Sequence, residues 1–494
     1  MNHHNNIIKG RNGLTALMLL SCTTSIAQKS PQPNVVLFIA DDISATDLGC
    51  YGNPVVHTPN IDSLAERGLR FERMYLSISS SSPSRSSIIT GRYPHNTGAC
   101  ELHTVMSSEQ VFFPELLRHH GYYTAQSGKW HFGDKNGHFS GPVLRAFDHV
   151  GGDEAHGGGA SGALQWLPTL KGRDKSKPFF MWFASHDAHR GWDQHIFLPR
   201  YNKDSVDVYP WYYDDDRTRT DVANYYNEVS RFDYYVGQVV QELRSEGILD
   251  NTVIIVMADN GRPFPRAKTT CLTQGLQTPF IVCCPSWMHQ QKSSICNSLV
   301  SSVDIAPTIL DLCGIKPGRT FQGRSFAKLL SHPQKTFRHY AFAEHNWHSF
   351  EAYERAVYSD SLLLIVNGRT NLNAVGATDI MNGGTGKSLR EHRTELDSLQ
   401  GDIFRNQRPE VLLYNYRTDP LEMKDLSSSH PAEVKRLFGV LRQWQKDTGD
   451  TCPDHLTPDW SDRTTIKALP WKGQRGEMPG SSRDAKHCMN AGPF

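Results

Sequence analysis

The chain has 494 residues, enough for one large α/β domain and a smaller companion, so burial of a sizeable core is not at issue. Its 52 basic and 51 acidic residues leave a net charge of +1, which excludes a global field able to recruit nucleic acid or an anionic membrane. Any preference for anions has to be built locally.

At the N-terminus, Lys9 and Arg11 precede the apolar run Leu14 to Leu20, and Ser25-Ile26-Ala27 offers a small-residue cleavage site. This pattern predicts an export signal over residues 1–27. Leu19-Leu20-Ser21-Cys22 also forms an imperfect lipoprotein box, so a lipid anchor at Cys22 is a competing fate. The apolar run is too short to span a bilayer, and no later stretch has transmembrane character. Ten cysteines are scattered without a C-x-x-C pair or zinc-ligand spacing. Export permits disulfides, but the spacing does not say which pairs form.

Short apolar runs predict buried parallel strands at Val35 to Ala40, Tyr122 to Gln126, Phe179 to Ala184, Val253 to Ala258 and Phe280 to Cys284. Between them the clearest helix is Thr218 to Glu246, where Val222, Tyr225, Val229, Phe232, Val236, Val239 and Leu243 recur every three or four residues. Strands alternating with helices predict a mainly parallel sheet with helices on both faces, over residues 31–335. From residue 336 onward the pattern changes to short strands such as Leu362 to Val366 and a late helix, Pro431 to Asp447, which predicts a smaller C-terminal subdomain with an antiparallel sheet.

In α/β sheets ligands gather at the carboxyl ends of strands. Asp41-Asp42 follows the first predicted strand directly and Asp259-Asn260 follows the fourth, so both pairs are placed on one sheet edge. Three carboxylates and an amide form a hard oxygen set suited to Ca²⁺ or Mg²⁺ rather than zinc. The run Ser81-Ser82-Pro83-Ser84-Arg85 combines a hydroxyl, a fixed turn and a guanidinium. Pro83 disfavours helical backbone at Ser82, which predicts that Ser81 and Ser82 lie on an extended turn before a helix beginning near Pro83. That helix would aim its free N–H groups at an anion beside Ser81, with Arg85 adding charge one turn in. Gly128-Lys129-Trp130-His131-Phe132-Gly133 and His186-Asp187-Ala188-His189-Arg190 follow two further strands, and Lys268 stands nine residues after Asp259. Between strands and long helix, the loop from Trp192 to Arg219 carries Trp211, Tyr212, Tyr213 and Asp214 to Asp216; these suit a sugar ring, and packing explains them equally well.

In this order the elements resemble the type I sulfatases, whose signature is Cys or Ser followed by x-Pro-Ser-Arg and a later Thr-Gly, here Thr90-Gly91. The stretch Asp259-Asn260-Gly261-Arg262-Pro263-Phe264-Pro265 is similar to the heparan N-sulfatases, or sulfamidases, as are Phe179 to Arg190, Val229 to Asn251 and the tail around Leu413-Tyr414 and Asp419-Pro420. The resemblance implies an alkaline-phosphatase-like sulfatase fold. It also implies that Ser81 is oxidised to formylglycine (3-oxoalanine), whose hydrated aldehyde attacks sulfur through one oxygen and later expels sulfate with the other. Asp41, Asp42, Asp259, Asn260 and the residue at position 81 would hold Ca²⁺. Arg85, Lys129, His131, His189 and Lys268 would bind sulfate or move protons, His189 as the acid for the leaving group. Asp187, Arg355 and, more loosely, His345 match positions that contact the sugar.

The substrate implied is a sulfated glycan saccharide carrying an N-sulfate or O-sulfate. A serine nucleophile implies a radical-type maturase and a bacterial source, with the protein exported to the periplasm or held as an outer-membrane lipoprotein. Two departures stand out: Lys268 occupies a position where sulfamidases have Arg, and the loop from Trp192 to Arg219 does not match. The rival readings are an O-sulfatase for another sulfated polysaccharide, a phosphodiester or phosphonate hydrolase of the same superfamily, and a glycan-binding protein in which Ser81 is never oxidised.

Overall fold

A computed structural model describes residues 32–133, 139–152, 161–192, 200–283, 294–471 and 473–480. The expected export segment and Cys22 lie outside the described residues. The strands run β1 Asn34–Ala40, β2 Leu69–Phe71, β3 Met74–Tyr75, β4 Tyr123–Gly128, β5 His149–Gly151, β6 Phe179–Ala184, β7 Thr252–Ala258, β8 Phe280–Cys283, β9 Ser294–Cys296, β10 Val300–Ser301, β11 Ala341–His345, β12 Glu354–Tyr358, β13 Leu362–Asn367 and β14 Val411–Asn415. The helices are α1 Pro59–Arg67, α2 Ser81–Thr90, α3 Phe113–His119, α4 Trp166–Lys171, α5 Asp216–Ser245, α6 Thr273–Leu276, α7 Ile305–Leu312, α8 Thr378–Asn382, α9 Gly384–Glu391 and α10 Pro431–Thr448.

Eight strands form the central sheet in the order β5-β4-β6-β1-β7-β8-β2-β9. Every residue of β1, β6 and β7 is buried, the continuous apolar pattern of a sheet covered on both faces. Successive β1 side chains alternate between two cores. Val35, Leu37 and Ile39 pack with residues of α2, α3 and α7, while Val36 and Phe38 pack with residues of α1, α4 and α5.

The parallel register puts Ala40 beside Ala258, Ile39 beside Ala184, and Gly128 beside Ala184. Asp41, Lys129, Ser185 and Asp259 are therefore each the first residue past the same edge.

One strand runs against expectation. β8 is antiparallel to β7, with Met257 opposite Phe280. The connection carries only the one-turn helix α6 rather than a covering crossover helix, so the chain returns in the opposite direction.

The second sheet is antiparallel, in the order β11-β12-β13-β14, and α10 packs on it through Leu437, Leu441 and Trp444 against Phe342, Val357, Leu364 and Leu413. The described residues from 32 to 480 belong to one compact unit, so both sheets belong to a single body. Between β13 and β14 the chain makes α8 and α9, and Thr385 of α9 bonds Asp221 of α5 from its amide and its hydroxyl, each at 2.8 Å. This contact ties α8 and α9 to the main domain near the carboxyl edge of the sheet. Among the described residues no helix is long and apolar enough to cross a membrane, and seven cysteines are unpaired.

Candidate active site

Helix α2 starts at Ser81, two residues earlier than the sequence suggests. Ser80 is the extended N-cap, with φ −159° and ψ 130°, and Ser84 N donates to Ser80 O at 2.9 Å. Ser81 and Ser82 thus form the first turn rather than an extended lead-in. Pro83 fits there because first-turn residues need no amide donor, and this outweighs the steric bias it places on Ser82. Ser81 Oγ lies 3.1 Å from Asp41 Oδ1 and 3.0 Å from Asn260 Oδ1, at the positive end of the helix. One turn on, the fully buried Arg85 donates from Nε to Asp259 Oδ2 at 2.8 Å, while its Nη1 has no hydrogen-bond partner among the described residues.

Around Ser81, one oxygen each of Asp41, Asp42 and Asp259 lie within 4.8 Å of one another, and all three side chains are fully buried. Asp42 takes a left-handed φ of 58°, a region Asp tolerates better than most residues, and its N donates to Asp259 Oδ1 at 3.3 Å. Asn260 Nδ2 donates to Asp42 Oδ1. Burial pushes the Asp42 carboxyl up to about 7 against the pull of Lys268. It raises Asp259 to about 6 against Arg85. Burial acts on Asp41 too, but Lys129, His189, Arg85 and Lys268 together hold it well below the usual carboxylate range.

A set of hard oxygens that cannot all ionise on its own suits a divalent cation, whose binding would displace the protons. Asp41, Asp42, Asp259, Asn260 Oδ1 and the oxygen at position 81 are the atoms that fit such an ion.

Two lysines and a histidine adjoin the acids. Lys129 Nζ pairs with Asp41 Oδ2. It stands after Gly128, whose φ of 87° and close approach to Ala184 O leave no space for a Cβ, which would lie 1.9 Å from that oxygen. Lys268 Nζ lies between Asp42 Oδ2 at 2.8 Å and Asp379 Oδ2 at 3.2 Å. Burial opposes its charge, but Asp379, Asp42 and Asp41 raise its affinity for the proton above the ordinary value. His189 Nδ1 lies 2.9 Å from Arg190 O, which assigns the proton to Nδ1 and leaves Nε2 3.7 Å from Asp379 Oδ2. Burial, then Lys268, pulls this imidazole down to about 4. His131 Nε2 lies 3.2 Å from His103 Nδ1.

Ser81, Arg85, Lys129, His189, Lys268, Asp41, Asp42, Asp259 and Asn260 are therefore brought together. Asp187 and Arg355 are not available to a ligand. Asp187 is fully buried and accepts from Arg231 Nε at 3.0 Å and Ser161 Oγ at 2.5 Å. Arg355 is buried against α10, bonded to Asp450 Oδ2 and Oδ1 at 2.7 and 2.8 Å. In both cases a paired carboxylate and guanidinium satisfy each other, which leaves neither side chain presented to a sugar in this structure. His345 pairs with Glu354 at 3.4 Å and lines a cavity of about 40 Å³ with His348 and Thr269. Trp211 and Tyr212 are 3% and 1% exposed, so packing explains the aromatic loop. Asp215 caps α5 by accepting from Thr218 N at 2.7 Å.

Asp379, His348 and His103 were not singled out from the sequence. His348 Nδ1 lies 2.7 Å from Ser80 Oγ. Asp379 heads a five-residue helix in an irregular segment and carries no motif, whereas the spacing His345-x-x-His348 is at least visible in the chain.

The chain matches the family described as Sulfatase over residues 33–158 and 160–315, and the family described as N-sulphoglucosamine sulphohydrolase, C-terminal, over residues 267–365. It is 26% identical over 478 residues to an ulvan-active sulfatase of Formosa agariphila, covering 85% of this chain and 76% of that one. It is 32% identical over 308 residues to the N-sulphoglucosamine sulphohydrolase of Homo sapiens, covering 56% of this chain and 60% of that one. A protein solved in complex with its substrate D-glucosamine-2-N,6-O-disulfate superposes with a TM-score of 0.64 at 20% identity, over 84% of this chain and 98% of that chain. The phosphonate monoester hydrolase of Agrobacterium radiobacter superposes with a TM-score of 0.62 at 16% identity, over 84% and 95%. These likenesses show the alkaline-phosphatase-like sulfatase fold. With the family matched over more than half its length, this chain belongs to the sulfatases, hydrolases of sulfate esters.

Proposed function

We propose that this protein is an exported, formylglycine-dependent sulfatase that removes sulfate from a saccharide of a sulfated glycan. The observation that carries this reading is Ser81 Oγ, set at a helix N-terminus within 3.1 Å of Asp41 and 3.0 Å of Asn260 and flanked by buried cations. A formylglycine at position 81 would supply a nucleophilic oxygen, and Asp41, Asp42, Asp259 and Asn260 would hold a Ca²⁺ whose charge would polarise the sulfate.

The side chains do the rest. Lys129 and Arg85 attract the sulfate oxygens, Arg85 through its unpartnered Nη1. Lys268 meets the oxygen or nitrogen that bridges sulfate and sugar. His189, held through Nδ1 by Arg190 O, presents Nε2 to the same atom; the neutral ring must first take up a second proton at Nε2, which the bound sulfate charge favours, before it protonates the leaving atom as the bond breaks. His131, braced by His103, orients the attacking group.

Charge bookkeeping supports a singly charged group over a dianion. With a divalent ion bound, the carboxylates of Asp41, Asp42, Asp259 and Asp379 face Lys129, Lys268, Arg85 and the ion, which leaves a single excess positive charge. A sulfate ester or sulfamate carries one negative charge and closes the balance, whereas a phosphate monoester dianion overshoots it.

The C-terminal family match and the human relative favour an N-sulfated glucosamine within this reading, with an O-sulfated sugar as the alternative. Export rests on the N-terminal signal pattern, with lipidation at Cys22 as the other fate. The test is co-expression with a radical-type maturase, followed by peptide mass spectrometry and ion chromatography of released sulfate. Loss of two hydrogens at Ser81, with sulfate released from N-sulfoglucosamine faster than from O-sulfated glucosamines and none from Ser81→Ala, is the expected result. A modified residue 81 that releases sulfate from none of these sugars overturns the glycan reading.

A further inference from the structure

Lys268 has a side chain only 1% exposed, whereas Asp379, bonded to it at 3.2 Å, is 26% exposed and His189 is 27% exposed. Asp379 and His189 are thus the solvent-facing members of the charged group, and a substrate arriving from solvent meets them first. The geometry points to Asp379 as the residue that reads the substituent beside the scissile sulfate, accepting a hydroxyl, amine or amide N–H there and excluding a second sulfate. This inference rests on the proposed function, because it places the leaving atom between Lys268 Nζ and His189 Nε2.

Asp379 Oδ2 is 3.2 Å from the first of these atoms and 3.7 Å from the second. Substituents on adjacent ring carbons are spaced by about one hydrogen-bond length, roughly 3 Å, so the neighbour of the leaving atom falls within reach of this carboxylate. An ionised carboxylate only accepts, and the Lys268 ammonium 3.2 Å away favours the ionised form of Asp379 against its burial. A donor is rewarded there, and an anion is repelled at close range in a partly desolvated place.

The carboxylate is also held in position. Asp221 receives Arg190, the residue after His189, in a two-pronged pair at 2.9 Å for each bond, and on its other side takes the Thr385 amide and hydroxyl. The His189 loop and the α8–α9 segment that carries Asp379 are therefore clamped to one residue.

Catechol monosulfate and catechol disulfate present a hydroxyl or a second sulfate on the atom next to the reacting one, so they probe this preference without knowledge of the sugar. For the matured, calcium-loaded wild type, kcat/KM favours the monosulfate. In Asp379→Asn that preference shrinks about tenfold or more, carried by KM for the disulfate, and Asp379→Glu restores it. A ratio in Asp379→Asn within about twofold of wild type overturns the inference. Because each ratio compares two substrates in one enzyme, a general loss of chemistry cancels. The same ratio read as Kd by calorimetry on the unmatured Ser81 protein loaded with calcium needs no turnover. A shifted Kd ratio in the unmatured protein, together with no sulfate release by the matured protein, would therefore defeat the proposed function and leave the reading of Asp379 standing, whereas failure of both compounds to bind defeats both.

Discussion

At the carboxyl edge of the central sheet, Asp41, Asp42 and Asp259 crowd together among Lys129, Lys268 and Arg85, whereas between the second sheet and α10, Arg355 gathers Asp450, Glu344 and His95. Both groups are buried, and both bring three ligand-type atoms within 4.8 Å of one another. Their hydrogen bonds differ. Arg355 spends Nε and Nη2 on Asp450, and Nη1 on Asn346 Oδ1 and the Glu354 carbonyl, with Glu344 3.4 Å from Nη2. Burial works against the Asp450 charge, yet Arg355 and His95 hold its carboxyl well below the usual range. At the sheet edge, Asp42 and Asp259 are pushed up to about 7 and about 6, and Arg85 keeps an unpartnered Nη1. A buried charge cluster that closes on itself is structural. One that leaves its acids over-crowded, with pKa values raised, has capacity for a cation.

Breaking the closed cluster has the larger effect on stability. Arg355→Ala leaves Asp450 and Glu344 buried without their guanidinium and should lower unfolding free energy by about 3–5 kcal/mol, read by denaturant titration. At a temperature where the variant remains folded it should keep its kcat for an aryl sulfate. A stable variant with collapsed kcat would return Arg355 to substrate binding and erase the contrast.

Glu422 sharpens the comparison from the other side, as a buried acid held by Thr273 N at 3.0 Å and the Thr273 hydroxyl. Burial raises its carboxyl from 4.5 to about 7. The folded state therefore holds this proton more tightly than the unfolded chain, and the stability it contributes is full below the unfolded pKa near 4.5 and lost as pH rises to about 7. Glu422→Gln mimics the protonated form, so its stability relative to wild type should grow by about 3 kcal/mol from pH 4.5 to above 7. A pH-independent difference would show that Glu422 is not forced to carry its charge in the fold.

The parts of the site that were legible in the sequence are those attached to regular elements. Asp41-Asp42 and Asp259-Asn260 follow wholly apolar runs, and because β1 and β7 are neighbours in register, strand-end placement was enough to put both pairs together. Ser81 and Arg85 were legible from their spacing around Pro83, although the helix began two residues early. Asp379 was not legible, because its position depends on a tertiary clamp through Asp221 rather than on local pattern. Arg355 shows the converse: the resemblance to sulfamidases marked it as a sugar contact, and only the carboxylate from beyond α10, Asp450, shows how it is paired. The direction of β8 was lost for a related reason, since an apolar run does not encode which way the strand runs.

The central claim is that the sheet-edge cluster is open to a divalent ion and the Arg355 cluster is closed. Calcium titration of the unmatured protein by calorimetry, in buffers of different ionisation heat, tests it most directly. One ion per chain, with proton release near pH 6–7, lost in Asp259→Ala and retained in Arg355→Ala, is the predicted result. Binding that survives Asp259→Ala, or disappears in a folded Arg355→Ala, would contradict it.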